Sequence, residues 1–226
     1  MKARAWVVLL ASVLTVVGMA RLGLWQLDRA AQKTALQQSL DTRRQLPPLM
    51  PPELARDATQ ASMQHDRHIV LHGRWLARAT VYLDNRQMNG RPGFFVVTPL
   101  LLPDGTAVVV QRGWQPRDMA DRARVVRPPT PEDVQVRVQG RIAPPPGRLY
   151  EFAGAELGPI RQNLPLEAYA REAGVDLRPL SLLQADDRET ASDGLLRQWP
   201  QPAAGVQRHH GYAFQWFALA ALVLGL

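Results

Sequence analysis

The chain has 226 residues, 46% of them hydrophobic, enough for one ordinary domain and a membrane anchor but hardly for two independent cores. Its formal net charge of +7 comes almost wholly from arginine, and a basic surface can attract nucleic acid, anionic lipid or acidic partners. We expect no nucleic acid partner, because basic runs interleaved with aromatics, RNP-like motifs and zinc-finger spacings are missing. The chain has no cysteine, which excludes disulfides, thiol catalysis, Cys-ligated zinc and iron-sulfur clusters.

Residues 1–30 predict an N-terminal transmembrane helix. Ala5 to Ala20 is an apolar run that spans about 24 Å as a helix, and Leu22 to Trp25 extend it to membrane length beyond Arg21. A cleaved secretory signal peptide is the alternative, since Gly18-Met19-Ala20 resembles a cleavage site after a basic start. We favour the retained anchor, because the apolar helical pattern continues through that site.

Residues 208–226, with the sequence RHHGYAFQWFALAALVLGL, predict a second transmembrane helix. Counted from Tyr212 it covers only about 22 Å, so either the span includes its histidines near one interface or the given chain lacks a natural tail. A buried or amphipathic C-terminal helix is the alternative. Two terminal spans would place both chain ends on one side of the membrane and residues 31–207 on the other. Basic residues flank both ends of the first span, so charge alone does not determine the side.

The region between the spans predicts a β-rich domain. A polar helix from Arg29 to Leu40 ends at a proline cluster at 47–52. Alternating valines at 134, 136 and 138 predict a half-buried strand, and Pro103-Asp104-Gly105 predicts a hairpin turn. Short helices are expected over Leu166 to Ala173 and Asp118 to Arg124. The expected fold class is a membrane protein of α+β type, with two terminal transmembrane helices flanking one antiparallel, barrel-like extramembrane domain with a few helices.

Catalytic and metal-binding patterns are weak. The sequence has no G-x-S-x-G, P-loop, G-x-G-x-x-G or H-E-x-x-H motif, so we expect no enzyme. His65, His68 and His72 suggest a metal site, but four residues of strand separate the last two by about 13 Å, so solvent-facing histidines are favoured. A cluster of carboxylates is better explained as a solvated loop than as a calcium site: Asp186, Asp187 and Glu189.

Two adjacent histidines at the mouth of the C-terminal helix, His209 and His210, allow two interpretations. Both can be interfacial anchors. Alternatively, an imidazole beside aromatic side chains at a membrane surface suits an iron porphyrin, which needs a nitrogen ligand, flat apolar walls and cations for its propionates. His209, Tyr212 and Trp216 share one helix face.

The first helix offers matching groups. Trp25 and Arg29 are four residues apart and share a face of that helix. If the two helices pack together, this face can meet His209 at the same depth in the membrane. The sequence permits that geometry without deciding it.

Five motifs occur in order along nearly the whole chain: Gly23–Arg29 (G-x-W-Q-x-x-R), Leu83–Arg86 (LDNR), Gly93–Leu100 (GFFVVTPL), Gln111–Pro116 (QRGWQP) and His209–Phe217 (HHGYAFQWF). Together they resemble the motifs of the surfeit locus 1 family, also known by its yeast name Shy, of cytochrome c oxidase assembly proteins. The chain departs from the family pattern at His210, where leucine is more usual.

The resemblance implies a multi-pass protein of the bacterial inner membrane with a periplasmic central domain, which assists maturation of oxidase subunit I in the respiratory chain. It further implies haem a as a transiently bound cofactor. His209 would be the axial ligand of the haem iron, with Arg29 as propionate partner and three aromatic walls: Tyr212, Trp216 and Trp25.

The implied partners are subunit I of cytochrome c oxidase, the haem a synthesis enzyme and the lipid bilayer. The main alternative is a scaffold that stabilises an oxidase assembly intermediate through its β-rich domain without binding haem. A membrane-tethered enzyme of unrecognised type is a third possibility, which the missing catalytic motifs argue against.

Overall fold

A computed structural model of the chain describes residues 3–121, 124–150, 158–187, 193–200 and 205–225. They belong to two compact units. The helical unit combines the two ends of the chain, Met1–Thr42 and Pro200–Leu226, and the barrel unit is Arg43–Trp199.

The first helix, α1, covers Ala3–Gln45 and ends just before Pro47 and Pro48. It is, in the part of the chain that the structure describes, the one helix long and apolar enough to cross a membrane by length and composition. The predicted N-terminal apolar helix and its polar continuation are therefore confirmed. The last helix, α4, covers Val206–Gly225. Its crossing of a membrane stays a prediction.

In the helical unit, solvent-shielded positions recur along both helices with alternating steps of three and four residues. On α1 they are Ser12, Val16, Met19, Gly23, Gln26, Ala30 and Lys33, and on α4 they are Val206, His209, Ala213, Trp216, Ala220 and Val223. A mean period of 3.5 residues is typical of the contact seam between two helices that pack as in a coiled coil.

The two helices run antiparallel. Gln26 contacts His209, and nearer the start of α1 Gly23 lies against Phe217. A Cβ atom on Gly23 would lie 2.7 Å from Cζ of Phe217, so no larger residue fits without displacing that ring. Alanines at positions 30, 213 and 220 keep the rest of the seam narrow. Small residues of this kind are typical where membrane helices pack closely.

The barrel unit contains seven strands in the order β1-β5-β7-β4-β3-β2-β6. A further pairing of β1 with β3, at Arg74 with Leu101 and Trp75 with Leu100, closes five of them into a ring. The predicted barrel-like domain is thereby confirmed. The strands are β1 His68–Trp75, β2 Val81–Met88, β3 Arg91–Leu101, β4 Thr106–Pro116, β5 Val136–Ala143, β6 Ile160–Arg161 and β7 Asp176–Gln184.

The sheet is mixed, whereas the sequence predicted an antiparallel one. Five pairings are antiparallel, but β4 pairs with β7 and β2 with β6 in parallel. A parallel pairing needs a crossover connection. Helix α3, Leu166–Ala173, lies between β6 and β7 in the chain and was predicted with these bounds. Local patterns indicate hairpins but not which distant strand becomes a neighbour.

The short helix predicted over Asp118 to Arg124 is absent from the described residues 118–121 and 124. Asp118 instead accepts hydrogen bonds from the backbone N–H groups of Ala120 and Asp121 in a local turn. Such side-chain bonds compete with helix formation. The predicted hairpin is confirmed: Gly105 has a φ of +82° and Leu102 N–H donates to the Thr106 carbonyl at 2.8 Å.

The barrel interior is filled by side chains. Its main cluster includes fully buried aliphatic residues from five strands: Ile69, Leu71, Leu100, Val108, Val110, Ile142, Leu180 and Leu182. Helix α2, Ala58–Gln64, contributes Ala61 to the same cluster. The interior is therefore a hydrophobic core rather than a ligand chamber.

The histidine triplet does not converge. His65 caps α2, His68 begins β1, and His72 is exposed on that strand. Burial is the main cause that lowers the pKa of His65 and His68. Across the described residues, no three His, Asp or Glu side chains could jointly hold a metal ion. Of the three carboxylates, Asp186 pairs with the buried Arg197, and Glu189 lies outside the described residues.

Candidate functional site

The candidate site lies in the helical unit, where the first and last sequence motifs meet. His209 on α4 and Gln26 on α1 are 183 residues apart, yet His209 Nδ1 lies 2.8 Å from Gln26 Oε1. Both are half-buried seam positions, so helix packing itself brings them face to face. This hydrogen bond is the direct link between the G-x-W-Q motif and the closing histidine motif.

The hydrogen bond determines which imidazole nitrogen is free. An amide oxygen only accepts, so Nδ1 of His209 carries the proton and donates it. In the neutral ring the lone pair is then on Nε2, which has no hydrogen-bond partner in the described ranges. Metal-ligating histidines usually have this arrangement, with one nitrogen held by a protein acceptor and the other presented to the metal. The donor chemistry of His209 therefore fits an axial haem ligand.

Trp25 and Arg29 form a second contact on α1. The Arg29 guanidinium carbon lies 5.6 Å from the centre of the Trp25 ring, within the range of a cation–π interaction. Arg29 Nη1 also donates to Gln32 Oε1 at 3.1 Å, and Gln32 in turn donates to Asp28 at 2.8 Å. Both Trp25 and Arg29 remain exposed. A cation beside a flat apolar ring is available to an anionic, planar ligand.

Tyr212 and Trp216 differ in their access to a ligand. Tyr212 is 50% exposed one turn beyond His209, whereas Trp216 is half-buried in the helix seam. Trp216 lies seven residues from His209, about 10 Å along the helix axis. It can contact only the far edge of a group bound at His209. Over the described residues, no side-chain hydrogen bond or ring contact joins either aromatic residue to that histidine.

The seam positions assign the remaining groups to edges of the helix pair. Three side chains lie beside Gln26 and His209 along one edge of the helix pair: Trp25, Arg29 and Tyr212. In two antiparallel helices, positions that flank the seam in the same heptad place lie on the same side. His210 is exposed and falls on the opposite edge together with Phe217. The geometry thus distinguishes the two adjacent histidines and groups four of the five predicted site residues on one side.

Gln26 and Gly23 were missed as site residues by sequence reasoning, although both belong to the quoted motif. Gln26 holds His209, and Gly23 lets α4 approach closely enough for that contact. A sequence signal did exist: positions 23, 26 and 30 follow the three-and-four spacing of a packing face.

The central motifs have structural roles in the barrel unit. Trp114 is buried and its indole N–H donates to the Arg86 carbonyl at 2.8 Å. Gln115 exchanges hydrogen bonds with the backbone of Val126, at 2.8 and 3.0 Å. A Cβ atom on Gly93 would lie 2.5 Å from the Trp114 ring, so glycine is needed there. These contacts join three of the motifs, on strands β2, β3 and β4.

The SURF1 family model matches residues 13–221, which include both halves of the candidate site and all of the barrel unit. The chain belongs to the SURF1 family. This membership confirms the resemblance seen in the sequence, and the matched residues include the two terminal motifs that pair in the structure.

Individual SURF1-family relatives are distant. The chain is 26% identical over 130 residues to the "Cytochrome oxidase assembly protein SHY1" of Saccharomyces cerevisiae, covering 56% of this chain and 33% of the yeast protein. A SURF1-like protein of Rickettsia bellii is 24% identical over 213 residues, covering 92% of this chain and 84% of the relative. One of Dictyostelium discoideum is 38% identical over 48 residues, 21% of this chain and 18% of that protein. The match thus spans only a third of the yeast protein but most of the rickettsial one.

Proposed function

We propose that this protein is a non-enzymatic assembly factor for cytochrome c oxidase. It binds haem a as cargo at the membrane interface through His209 and assists its insertion into subunit I. The assembly role is supported by membership of the SURF1 family and by the name of the yeast relative. Haem a and subunit I come from the sequence resemblance, as does contact with the haem a synthesis enzyme.

The observation that carries the haem proposal is the 2.8 Å hydrogen bond between Gln26 and His209. It holds the ring nitrogen that does not bind iron and leaves Nε2 available. Arg29 is an exposed cation within reach of the same edge of the helix pair, suited to a propionate. Trp25 and Tyr212, each about half exposed, supply apolar surface for a macrocycle.

A site of this kind suits transfer better than storage. His209 offers one ligand nitrogen, and the second histidine lies on the other edge of the helix pair, so both cannot bind one iron from the same side. A single axial ligand on a half-open surface lets the cargo leave for its acceptor. A closed pocket with two ligands would hold it more tightly.

The proposed location is the bacterial inner membrane, with two spans and the barrel unit in the periplasm. Counted from its true start at Val206, α4 has 20 residues and is about 30 Å long, which matches the hydrocarbon thickness. His209 then lies within the first turn of the span, near one interface. Reporter fusions at Leu226 and Gly140 test this topology: opposite compartments support it, and matching signals contradict it.

The haem proposal is tested on protein purified from cells that make haem a. We expect a Soret band in the wild type that is lost in His209→Ala. His210→Ala is the matched control and keeps the band, because His210 lies on the opposite edge. A wild-type protein without haem, together with normal oxidase assembly, would favour the haem-independent scaffold. Equal haem binding by His209→Ala and His210→Ala would refute ligation by His209.

A further inference from the structure

The barrel unit has a cavity that the haem proposal does not use. It encloses about 430 Å³, within the range of small-ligand sites. Its lining includes two arginines, two threonines and a tyrosine together with apolar residues. We call it the arginine cavity, lined by Arg78, Arg127, Thr80, Thr130, Tyr82, Ala77, Val125, Pro128 and Pro159.

Behind one wall of the arginine cavity lies a buried cation. Arg112, from the QRGWQP motif, is 4% exposed. Its guanidinium donates to the hydroxyl of Thr130 at 2.6 Å and to the Pro129 carbonyl at 2.9 Å, and lies 4.7 Å from the centre of the Trp75 ring. Its Nε has no hydrogen-bond partner among the residues that the structure describes. Thr130 therefore connects this buried charge to the cavity.

No carboxylate in the described ranges forms an ion pair with Arg112. The acidic residue that acts on it electrostatically, Asp193, is paired with Arg197 instead. Burial lowers the pKa of Arg112 to about 10, so its side chain stays protonated at neutral pH. Buried charges in proteins are normally paired, because an uncompensated one is costly. An excess of positive charge at this position favours an anion nearby.

Tyr82 provides an unused hydrogen-bond donor. Its side chain is 3% exposed and lines the arginine cavity, yet its hydroxyl has no hydrogen bond to any described residue. Burial raises the pKa of this phenol, so it stays neutral and able to donate. The hydroxyl is therefore available to a molecule bound in the cavity.

One acidic residue, Glu132, lies beside the cavity without forming an ion pair with the arginines of its lining. Glu132 accepts a hydrogen bond from the backbone N–H of Arg78 at 3.1 Å. It forms no ion pair with the guanidinium of Arg78 or of Arg127 in the part of the chain that the structure describes. Both guanidiniums are exposed at the mouth of the cavity and can turn toward a ligand.

We propose that the arginine cavity binds a small organic oxyanion, a phosphate monoester or a carboxylate with an apolar body. Arg78 and Arg127 hold the charged oxygens, as guanidinium groups do through paired hydrogen bonds. The Tyr82 hydroxyl donates a further hydrogen bond, and Arg112 adds favourable charge from behind Thr130. Val125, Pro128 and Pro159 pack against the apolar body. This site is independent of haem binding at His209.

The test is calorimetric titration of the full chain in detergent with phenyl phosphate, benzoate and the neutral benzamide. We expect saturable one-to-one binding of at least one anion, weakened by added salt, and none of benzamide. Comparison of the two anions distinguishes phosphate from carboxylate. In Arg127→Gln the affinity should fall by about tenfold, as for the loss of one charge-assisted hydrogen bond. Tyr82→Phe should weaken binding by a smaller factor.

Arg91→Gln is the matched control, because Arg91 is an exposed arginine at the start of β3 and does not line the cavity. It should bind the anion as the wild type does. Unchanged thermal unfolding of Arg127→Gln shows that the barrel is intact. The proposal is overturned if no anion binds saturably. It is equally overturned if Arg91→Gln and Arg127→Gln lose the same affinity, which would indicate a general charge effect.

Discussion

In the barrel unit, buried arginines such as Arg161 and Arg178 bond to several protein groups, whereas the helix seam presents a half-buried histidine with one nitrogen that bonds to no described residue. Arg178 illustrates the first case: it donates to Thr106 at 3.0 Å, to the Leu54 carbonyl at 3.0 Å and to Asp104 at 2.6 Å. His209 illustrates the second, with one bond to Gln26. A saturated polar group stabilises the fold, and an unsaturated one is available to a ligand. Arg86, Arg112 and Arg197 are less completely bonded, since the Nε of each has no hydrogen-bond partner among the described residues.

Replacing tryptophan by alanine should have the largest and most different effects in the two units: lost stability in the barrel unit and weaker haem binding in the helical unit. Trp114→Ala removes a buried side chain with a hydrogen-bonded indole and should cost about 3–5 kcal/mol of barrel stability. Trp25→Ala, in the helical unit, should leave barrel stability unchanged and weaken haem binding. Urea unfolding followed by circular dichroism measures the first effect and haem titration the second. Equal loss of stability in both variants would contradict the division of roles.

Gly23→Val tests whether close helix packing builds the candidate site. The added side chain meets the Phe217 ring, so we expect a cost of up to about 3 kcal/mol in helix association and loss of haem binding. Gly18→Val is the matched control, because a Cβ there has open space within 4 Å. Proximity of the helices can be measured by cross-linking between cysteines introduced at Ser12 and Val223. Normal cross-linking in Gly23→Val would show that the seam tolerates a larger residue.

Gln26→Leu tests the hydrogen bond that orients His209. Loss of a group that holds a metal-binding histidine typically lowers affinity by at least about tenfold, or 1.4 kcal/mol. Gln38→Leu is the control, because Gln38 is an exposed glutamine of the same helix that lies more than two turns beyond Arg29. A second measurement does not need haem: nitrogen NMR of the imidazole should show the Nδ1–H tautomer in the wild type and its loss in Gln26→Leu. An unchanged tautomer would contradict the proposed orientation.

The smallest expected effect is a pH dependence in the barrel. Hydrogen bonds from Thr106 and the charge of Arg178 lower the pKa of Asp104 in the folded state. A depressed carboxyl pKa stabilises the fold above the unfolded value, near pH 4, and this contribution disappears as pH falls through the lower folded value. Asp104 is partly exposed, so the effect should be below about 1 kcal/mol.

The stability difference between wild type and Asp104→Asn measures this contribution. It should be constant above about pH 5 and shrink below pH 4. A stability difference that grows on acidification would show that folding does not lower the pKa of Asp104. His209 offers no comparable test of barrel stability, because it belongs to the other unit.

Local pattern determined the elements whose ends are marked by their own residues. The apolar start of α1 and the prolines after Gln45 set its position, and α3 has the predicted bounds. The β3–β4 hairpin follows from the turn at Pro103–Gly105, in which glycine takes a positive φ. The same reasoning failed at Asp118, where a side-chain hydrogen bond to the backbone forms a turn instead of a helix.

Tertiary structure decided every pairing between distant segments. Parallel contact of β4 with β7 and closure of the ring by β1 and β3 depend on which strands can share a core. The pairing of Gln26 with His209 likewise depends on two helices from opposite ends of the chain. Sequence by itself identified the family motifs, the terminal helices and the histidine. The family resemblance pointed to His209, and only packing showed that it differs from His210 in exposure, because a helix seam shields one residue and leaves the next exposed.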